Sequence, residues 1–244
     1  MTWSILARDS DGCVGAAVAS RFLAVGALCL HTARAAGALS TQALVNPLYG
    51  PRGIALLHEG RSPADIVATL IAADAGREQR QLHLLALAGA GAAHTGRECV
   101  EWCGHQVHDG FSVAGNMLAG PQVLDATVQA FVASVGQPLA ERLIAALAAG
   151  DAVGGDKRGK QAAALRIQGD EDYPLLDLRV DDHAEPIAEL RRLYDVSLER
   201  FQPFVACLAK RNDPTGITDR AEIESRIEQF TAARREGRST WAQT

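Results

Sequence analysis

The chain opens with Met1-Thr2-Trp3-Ser4-Ile5-Leu6-Ala7-Arg8, a strand-like run that leads through a turn at residues 9–12 into a second strand at residues 14–19. A small second residue normally permits removal of Met1, which would give Thr2 both a hydroxyl nucleophile and a free α-amine. That amine has a pKa of about 7.7–8.0, which suits a general base at neutral pH. Threonine acting with its own terminal amine is an established activated nucleophile. The stretch therefore predicts an N-terminal-nucleophile hydrolase, and an ordinary strand threonine is the alternative.

Composition excludes several functional classes. The 244 residues fit one sizeable domain with room for an appendage, and 48% of them are apolar. The net charge of −5 and the absence of a basic stripe argue against nucleic-acid binding. No apolar run is long enough to span a bilayer, and the first residues lack the pattern of a signal peptide. Five cysteines, an odd number, indicate reduced thiols and a cytoplasmic location.

The order of elements predicts the architecture. Residues 2–43, 82–115 and 161–180 read as strands, and helices are predicted between and after them. Strands that are apolar on both faces suit sheets covered on both sides. We therefore expect an α+β fold, a four-layer αββα sandwich over residues 1–184, with a conventional α+β fold as the alternative. A helical C-terminal appendage, residues 185–244, would pack on the sandwich or on a second subunit of a homo-oligomer, a dimer or larger.

Four local expectations can be checked against the structure. Residues 24–30 read as a third strand, and a short helix is predicted at residues 53–59. Ser62-Pro63-Ala64-Asp65 has the composition of a helix start, since serine caps, proline suits the first turn and aspartate complements the dipole. Pro214 and Gly216 are predicted to split the tail into two helices.

The chain resembles the DUF1028 family, whose bacterial and archaeal members are placed among the Ntn-hydrolase-like proteins. The resemblance covers roughly residues 2–193. It implies the αββα fold and, by analogy with the superfamily, hydrolysis of an amide bond. The motifs that carry it are Thr2-Trp3-Ser4-Ile5-Leu6-Ala7-Arg8, the run from Ala17 to Gly26, Thr41-Gln42-Ala43, Asn46-Pro47, Tyr49-Gly50, Gly53, Cys99, Trp102, Gly104-His105, Gly115-Asn116, Gly120-Pro121, the run from Gly154 to Gly159 and the run from Asp177 to His183.

A fainter likeness extends to proteasome-type subunits, whose N-terminal threonine strand is followed by a hairpin that ends in a Ser-Arg pair like Ser20-Arg21. Two features depart from that pattern. Ala19 stands where the acidic residue is expected, and no lysine occurs before Lys157. Arg21 or Arg34 could supply positive charge, but an arginine does not shuttle protons as a lysine does.

The candidate catalytic residues are Thr2, Ser4, Asn46 and Asn116. On a strand Ser4 points to the same side as Thr2, so it could orient the amine. Oxyanion donors are often asparagine side chains or backbone amides, and Asn46 and Asn116 are the asparagines of the predicted core domain. The alternative for both is a turn residue that bonds its own backbone.

The candidate substrate-binding residues come from the shared motifs and from charged loops. They are Arg21, Gln42, Tyr49, Arg52, His105, Asp156, Arg158 and His183. Arg158, in a Gly-rich loop with Asp156, could bind a carboxylate or a polar amide. The same loop mimics a phosphate-binding motif, but it lacks the required Ser or Thr and runs from helix to strand, so ATP binding is not expected.

Cys99, Cys103, His105 and His108 place four possible metal ligands within ten residues. Their spacing fits no standard zinc finger, and histidines three apart on one strand point to opposite faces. We expect neither a metal nor a cofactor. The leading hypothesis is hydrolysis of a C–N bond in a small-molecule amide or short peptide. The alternatives are an oligomeric scaffold and a non-catalytic protein that binds a ligand in a pocket lined by Arg52, Arg158 and His183.

Overall fold

The computed structural model describes residues 2–236, so Met1 and the last eight residues of the predicted appendage lie outside it. The strands are β1 Thr2–Arg8, β2 Val14–Ser20, β3 Leu30–Ala33, β4 Gly37–Ala43, β5 Arg80–Ala86, β6 Ala92–Thr95, β7 Trp102–His108, β8 Phe111–Leu118, β9 Ala162–Gln168 and β10 Leu176–Val180. The helices are α1 Val25–Cys29, α2 Tyr49–His58, α3 Pro63–Ala72, α4 Gln122–Ala133, α5 Leu139–Ala152, α6 Pro186–Ser197, α7 Phe201–Val205 and α8 Arg220–Arg235.

The strands form two antiparallel sheets. The larger has the order β10-β9-β2-β1-β8-β7, and the smaller has the order β3-β4-β5-β6. Strand β1 is therefore central, with β2 on one side and β8 on the other. The sheets face each other, because β5 contacts β8 and β4 contacts both β1 and β2. Residue Thr2 stands at the first position of this central strand.

Alternation along β1 explains how the sheets are covered. Trp3, Ile5 and Ala7 belong to a core cluster shared with α4, α5 and α6, whereas Leu6 belongs to a different cluster between the sheets. Helices α2 and α3 pack on the outer face of the smaller sheet. Successive strand residues point to opposite faces, so each sheet is buried on both sides. The fold is thus mixed α and β, with antiparallel sheets and eight helices in the described part of the chain.

Three of the four local expectations were wrong in part, and two of them concern residues 24–59. The segment predicted as a third strand is helix α1, preceded by Ala24 with a left-handed φ of 53°, and β3 begins only at Leu30. A short apolar run fits either state, and packing on β2 and β9 selects the helix. Helix α2 begins at Tyr49, four residues earlier than predicted. The helix start at Ser62 is confirmed, since its hydroxyl accepts a hydrogen bond from the amide of Asp65.

The described part of the tail, residues 185–236, contains three helices instead of the two expected. Helix α6 packs Ile187, Leu190 and Tyr194 into the core and contacts β9, β10 and α5, so the outer layer continues past residue 184. Pro214 and Gly216 lie between α7 and α8. Among the described residues, no helix combines the length and apolarity needed to cross a membrane.

Candidate functional site

Polar side chains are concentrated between the two sheets, at the end of the molecule where Thr2 lies. They come from alternate positions of four strands that face this layer, and all of them are buried. They are Thr2 and Ser4 of β1, Ser40 and Gln42 of β4, Gln81 and His83 of β5, and Ser112 and Asn116 of β8. Buried polar groups require partners, so their hydrogen bonds define how rigid this region is.

Thr2 is held through both its side chain and its main chain. Its Oγ1 donates a hydrogen bond to Ser20 Oγ at 3.1 Å. Its carbonyl oxygen accepts from Gln42 Nε2 at 3.4 Å and from Asn116 Nδ2 at 3.5 Å. Only 5% of the residue is exposed. The hydroxyl therefore has a fixed direction, toward the end of β2.

A buried histidine, His83, is linked to Thr2 through Ser4 and Gln42. Ser4 Oγ donates to Gln42 Oε1 at 2.7 Å and lies 2.8 Å from His83 Nε2, and His83 Nδ1 lies 2.8 Å from Ser112 Oγ. Because the single Ser4 proton goes to Gln42, we assign the ring proton to Nε2 and the Ser112 proton to the bond with Nδ1. Burial lowers the pKa of His83 to about 3, so the ring is neutral at physiological pH.

Gln81 connects this interior to the protein surface. Its Oε1 accepts from Gln42 and Asn116 at 2.8 and 3.0 Å. Its Nε2 lies 2.9 Å from Thr95 Oγ1, which in turn lies 2.8 Å from Nδ1 of the exposed His105. Burial lowers the pKa of His105 as well. Gln42, Asn116 and His105 thus belong to one network, and the amide of Asn116 is engaged within it.

A loop passes over the first residues of β1. Residues 153–161, here called the crossing loop, connect α5 to β9. On one side Lys157 N donates to the carbonyl of Met117 at the end of β8, and on the other Gln161 N donates to the carbonyl of Ser20 in β2. Because β1 lies between β8 and β2, the loop crosses the end of the sheet beside Thr2. Gly155 is required here, since a Cβ would lie 3.1 Å from the Trp3 ring and its φ is +44°.

Asp156 ties the crossing loop to the end of β2. Its side chain is fully buried, and it accepts from the backbone amides of Arg21 at 2.8 Å and Arg158 at 2.9 Å. Arg21 Nη1 donates to the carbonyl of Arg158 at 3.0 Å. Since Ser20 directly precedes Arg21, Asp156 fixes the segment that holds the Thr2 hydroxyl. The structure therefore brings together Thr2, Arg21, Asp156 and Arg158.

Strained backbone occurs next to residues that contact Thr2. Within residues 2–236, five non-glycine residues have a positive φ, and Ala43 and Met117 are two of them. Ala43 follows Gln42, whose amide bonds the Thr2 carbonyl, and Met117 follows Asn116, the register partner of Thr2. Such conformations are uncommon for residues with a Cβ and are often found at functional sites.

Asn46 and Tyr49 lie in a different cluster. Asn46 Nδ2 donates to Asp74 Oδ2 at 2.9 Å, and Tyr49 OH donates to the same oxygen at 2.8 Å. Asn46 Oδ1 accepts from Leu48 N. The bonds from Asn46 and Tyr49, with those from Gly76 and Arg80, hold the pKa of Asp74 well below its usual range. The Asn46 amide is thus engaged in a loop, as its turn interpretation predicts, and we do not retain it as an oxyanion donor.

Two further candidates do not belong to the polar network around Thr2, although the amide of His183 donates to the carbonyl of Gln161 in the crossing loop at 2.8 Å. Arg52 is exposed on α2. His183 is exposed, and its Nδ1 accepts from the amide of Glu185 at 3.0 Å, close to the start of α6. This bond fits the capping interpretation better than a role in a shared pocket with Arg52 and Arg158.

The histidines of β7 diverge as expected. His105 bonds Thr95, whereas His108 stacks on Phe111 with ring centroids 4.5 Å apart. In the part of the chain that the structure describes, no three His, Cys, Asp or Glu side chains are grouped to hold a metal ion.

Sequence reasoning missed Ser20, Gln81, His83 and Ser112 as site residues. Each lies at an alternate strand position, where a polar residue usually indicates a solvent-facing side. The available signal was that these positions carry uncharged residues, unlike the lysines and glutamates of exposed strand faces.

Comparisons with known proteins agree with this architecture. A family model described as a family of unknown function, DUF1028, matches residues 2–190. The chain belongs to the DUF1028 family. A crystal structure of a DUF1028 protein from Silicibacter pomeroyi is 32% identical, with a TM-score of 0.83 over 89% of this chain and 99% of that one. No curated protein matches the chain.

Proposed function

We propose that this DUF1028 protein is an N-terminal-nucleophile hydrolase that cleaves the C–N bond of a small amide or short peptide, with Thr2 as the nucleophile after removal of Met1. The observation that carries the proposal is the position of Thr2, at the head of the central strand, with its hydroxyl directed at Ser20. Two antiparallel sheets that face each other, with helices on the outer faces, are consistent with the Ntn-hydrolase-like αββα sandwich.

In the proposed reaction the Thr2 hydroxyl attacks the substrate carbonyl while the Thr2 α-amine accepts the hydroxyl proton. An acyl ester forms on Thr2 as the C–N bond breaks, and the protonated amine returns its proton to the leaving nitrogen. Water then hydrolyses the ester with the same amine as base, which regenerates the threonine. No redox step or cofactor is required.

The polar network acts as a positioning system in this proposal. Gln42 and Asn116 bond the Thr2 carbonyl, and Ser4 bonds Gln42, so Ser4 acts on Thr2 through another side chain. Ser20 and Asp156 direct the hydroxyl from the other side. Neutral His83 stabilises Ser4 without placing a buried charge next to the α-amine. Groups that hold a nucleophile in its reactive geometry contribute to rate by orientation.

A second candidate is a non-catalytic protein that binds a small ligand at the same end. The specific observation in its favour is that the Asn116 amide donates to Gln81 and Thr2 within the network, so the oxyanion donor of an acyl transfer is unassigned.

The first experiment is the intact mass of the protein purified from the cell, since a loss of one methionine exposes Thr2. Protein that has lost Met1 is then treated with a β-lactone, a probe that acylates reactive hydroxyl groups. The product is digested to locate the acylated residue. We expect one acyl group on the Thr2 side chain, absent in Thr2→Ala, retained in Thr2→Ser and unchanged in the exposed control Thr69→Ala. A glutamate inserted before Thr2 blocks removal of Met1 and must abolish acylation.

Retention of Met1, or equal acylation of Thr2→Ala, would overturn the hydrolase proposal and favour the binding protein. Turnover is measured on a panel of anilides, where release of the aniline reports C–N cleavage.

Association into a homo-oligomer in the cytoplasm stays a prediction. Helix α7 exposes Phe201 and Phe204. Helix α8, as far as the structure describes it, buries one side chain, Ile227. If the tail mediates assembly, the double change Phe201→Ser and Phe204→Ser lowers the mass in solution while Thr2 acylation persists.

A further inference from the structure

The crossing loop carries three cationic side chains whose electrostatic environments differ. Lys160 lies 2.8 Å from Asp151 and 2.6 Å from Glu185, so its charge is balanced by two carboxylates. Lys157 lies 3.4 Å from Glu101 and its side chain is 62% exposed. Arg158 has one long contact, 3.5 Å from Asp156 Oδ2, and its side chain is 44% exposed. Lys157 and Arg158 thus each have one long ion-pair contact, whereas Lys160 has two short ones.

Arg21 adds a second guanidinium group beside Arg158. The two are joined through the bond from Arg21 Nη1 to the Arg158 carbonyl, and a Cβ on Gly159 would lie 3.2 Å from Arg21 Nη1. The Arg21 side chain is exposed, and among residues 2–236 no carboxylate forms an ion pair with it. The guanidinium of Arg21 thus lies against the main chain of Arg158, and both exposed arginines project from segments next to Ser20, which accepts the Thr2 hydroxyl bond.

The carboxylate of Asp156 bonds main-chain amides at shorter distances than it bonds the Arg158 side chain. Asp156 receives its two short hydrogen bonds from main-chain amides, at 2.8 and 2.9 Å, and it fixes the loop from which both arginines project. Across the whole loop the charges cancel, because the cations Arg21, Lys157, Arg158 and Lys160 are matched by the carboxylates Glu101, Asp151, Asp156 and Glu185. What Arg21 and Arg158 offer a ligand is therefore their exposed N–H donors and not an excess of positive charge.

We propose that the amide processed at Thr2 carries a carboxylate group, which binds the guanidinium groups of Arg21 and Arg158. A guanidinium presents its N–H donors in a planar fork that matches a carboxylate, and it keeps its charge at all physiological pH values. The inference rests on the proposed function, because it names the substrate class of that site. Asp156 is a positioning residue in it, and Arg21 and Arg158 are the binding residues.

The test separates binding from catalysis. Calorimetry on the Thr2→Ala protein compares N-acetylglycinate with N-acetylglycinamide, two ligands of similar size that differ in the carboxylate. We expect N-acetylglycinate to bind at least roughly tenfold more tightly, because a hydrogen bond to a charged group is worth about 1.5–3 kcal/mol. In the same protein Arg158→Gln and Arg21→Gln each weaken this binding by roughly tenfold, and Arg158→Lys weakens it less than Arg158→Gln because it keeps the charge and loses the fork.

Arg61→Gln is the matched control, an exposed arginine between α2 and α3, and its dissociation constant must equal that of the Thr2→Ala parent. Thermal unfolding of each variant confirms that the fold is intact. Equal binding of the two ligands, no binding of either, or an equal loss in Arg61→Gln would overturn the carboxylate inference.

The two proposals fail in different ways. If N-acetylglycinate is preferred but protein with an exposed Thr2 is not acylated, the carboxylate site stands and the hydrolase is overturned. If anilides are cleaved, but succinanilate has no higher kcat/KM than neutral butyranilide, the hydrolase stands and the carboxylate inference is overturned.

Discussion

The space between the two sheets has a polar half and an apolar half, and the same strands build both. Strand β1 contributes Ser4 to the polar half and Leu6, two residues later, to the apolar half. Strand β5 contributes His83 and then Leu85 in the same way. Side chains on one face therefore change from polar to apolar with distance from Thr2.

The difference shows where the fold keeps directional interactions. Packing among Leu6, Val18 and Leu85 is non-directional and tolerates small adjustments of side chains, whereas hydrogen bonds among Ser4, Gln42 and His83 fix atoms to within tenths of an ångström. A fully satisfied buried network rigidifies its surroundings. The apolar half thus stabilises the packing of the two sheets, and the polar half fixes the position of Thr2.

The largest effect is expected in the apolar half. Leu6→Ala removes a fully buried side chain and leaves a cavity, so the free energy of unfolding falls by about 2–5 kcal/mol. Urea denaturation measures this loss. Thr2 acylation, measured under conditions where the variant is folded, stays at the wild-type rate, and a slower rate would mean that the two halves are not separable.

In the polar half, Gln81→Leu is expected to lower both the free energy of unfolding and the rate of Thr2 acylation. The change leaves Gln42 and Asn116 without the acceptor that they share, so we expect a loss of about 2–3 kcal/mol, since a buried unsatisfied group costs about 1–3 kcal/mol. Acylation of Thr2 slows as well, because both partners of its carbonyl are released. A variant that is destabilised yet acylated at the normal rate would contradict the positioning role.

Acid should weaken the polar half selectively. An unfolded histidine has a pKa of about 6.5 and folded His83 has one of about 3, so below pH 6.5 the unfolded state binds a proton that the folded state does not. Stability therefore falls by about 1 kcal/mol between pH 6.5 and 5.5 and by up to ~1.4 kcal/mol per further pH unit, until the pH nears 3.

Urea denaturation at several pH values measures this slope. His83→Gln reduces it, while the exposed control His183→Gln leaves the His83 contribution in place. An identical slope in wild type and His83→Gln would show that His83 is not the responsible group.

The smallest effect is expected at the border of the network. Ser40 Oγ donates to Gln42 Oε1 over a long 3.3 Å, and Ser4 donates to the same oxygen over 2.7 Å. Ser40→Ala should therefore lower the free energy of unfolding by only about 0.5–1 kcal/mol. A loss as large as that of Gln81→Leu would place Ser40 among the essential members of the network.

Local sequence signals gave most elements of the fold. The helix start at Ser62 and the strand regions 82–115 and 161–180 follow from caps, prolines and periodicity, which act over a few residues. Residues 24–30 were misread, because an apolar run of that length fits a strand or a helix and only its packing on β2 and β9 decides between them.

The candidate site was also predictable only in part. The position of Thr2 in the sequence predicts it as the nucleophile, and strand alternation predicts that Ser4 points to the same side. Ser20, which bonds the Thr2 hydroxyl, and Gln81 and His83, which bond the neighbours of Thr2, lie 18 to 81 residues away along the chain, and the register of the two sheets brings them to this site. Asn46, chosen for its residue type, lies with Asp74 instead.

The sequence by itself determined the family, the alternation of strands and helices, and the candidate nucleophile, because each depends on residue identity and short-range order. Tertiary structure decided which polar residues surround Thr2, that the crossing loop passes over the head of β1, and that Arg21 meets Arg158 there. The physical reason is that hydrogen bonds and charges act over a few ångströms in space, and only folding of the two sheets brings residues distant in sequence to that separation.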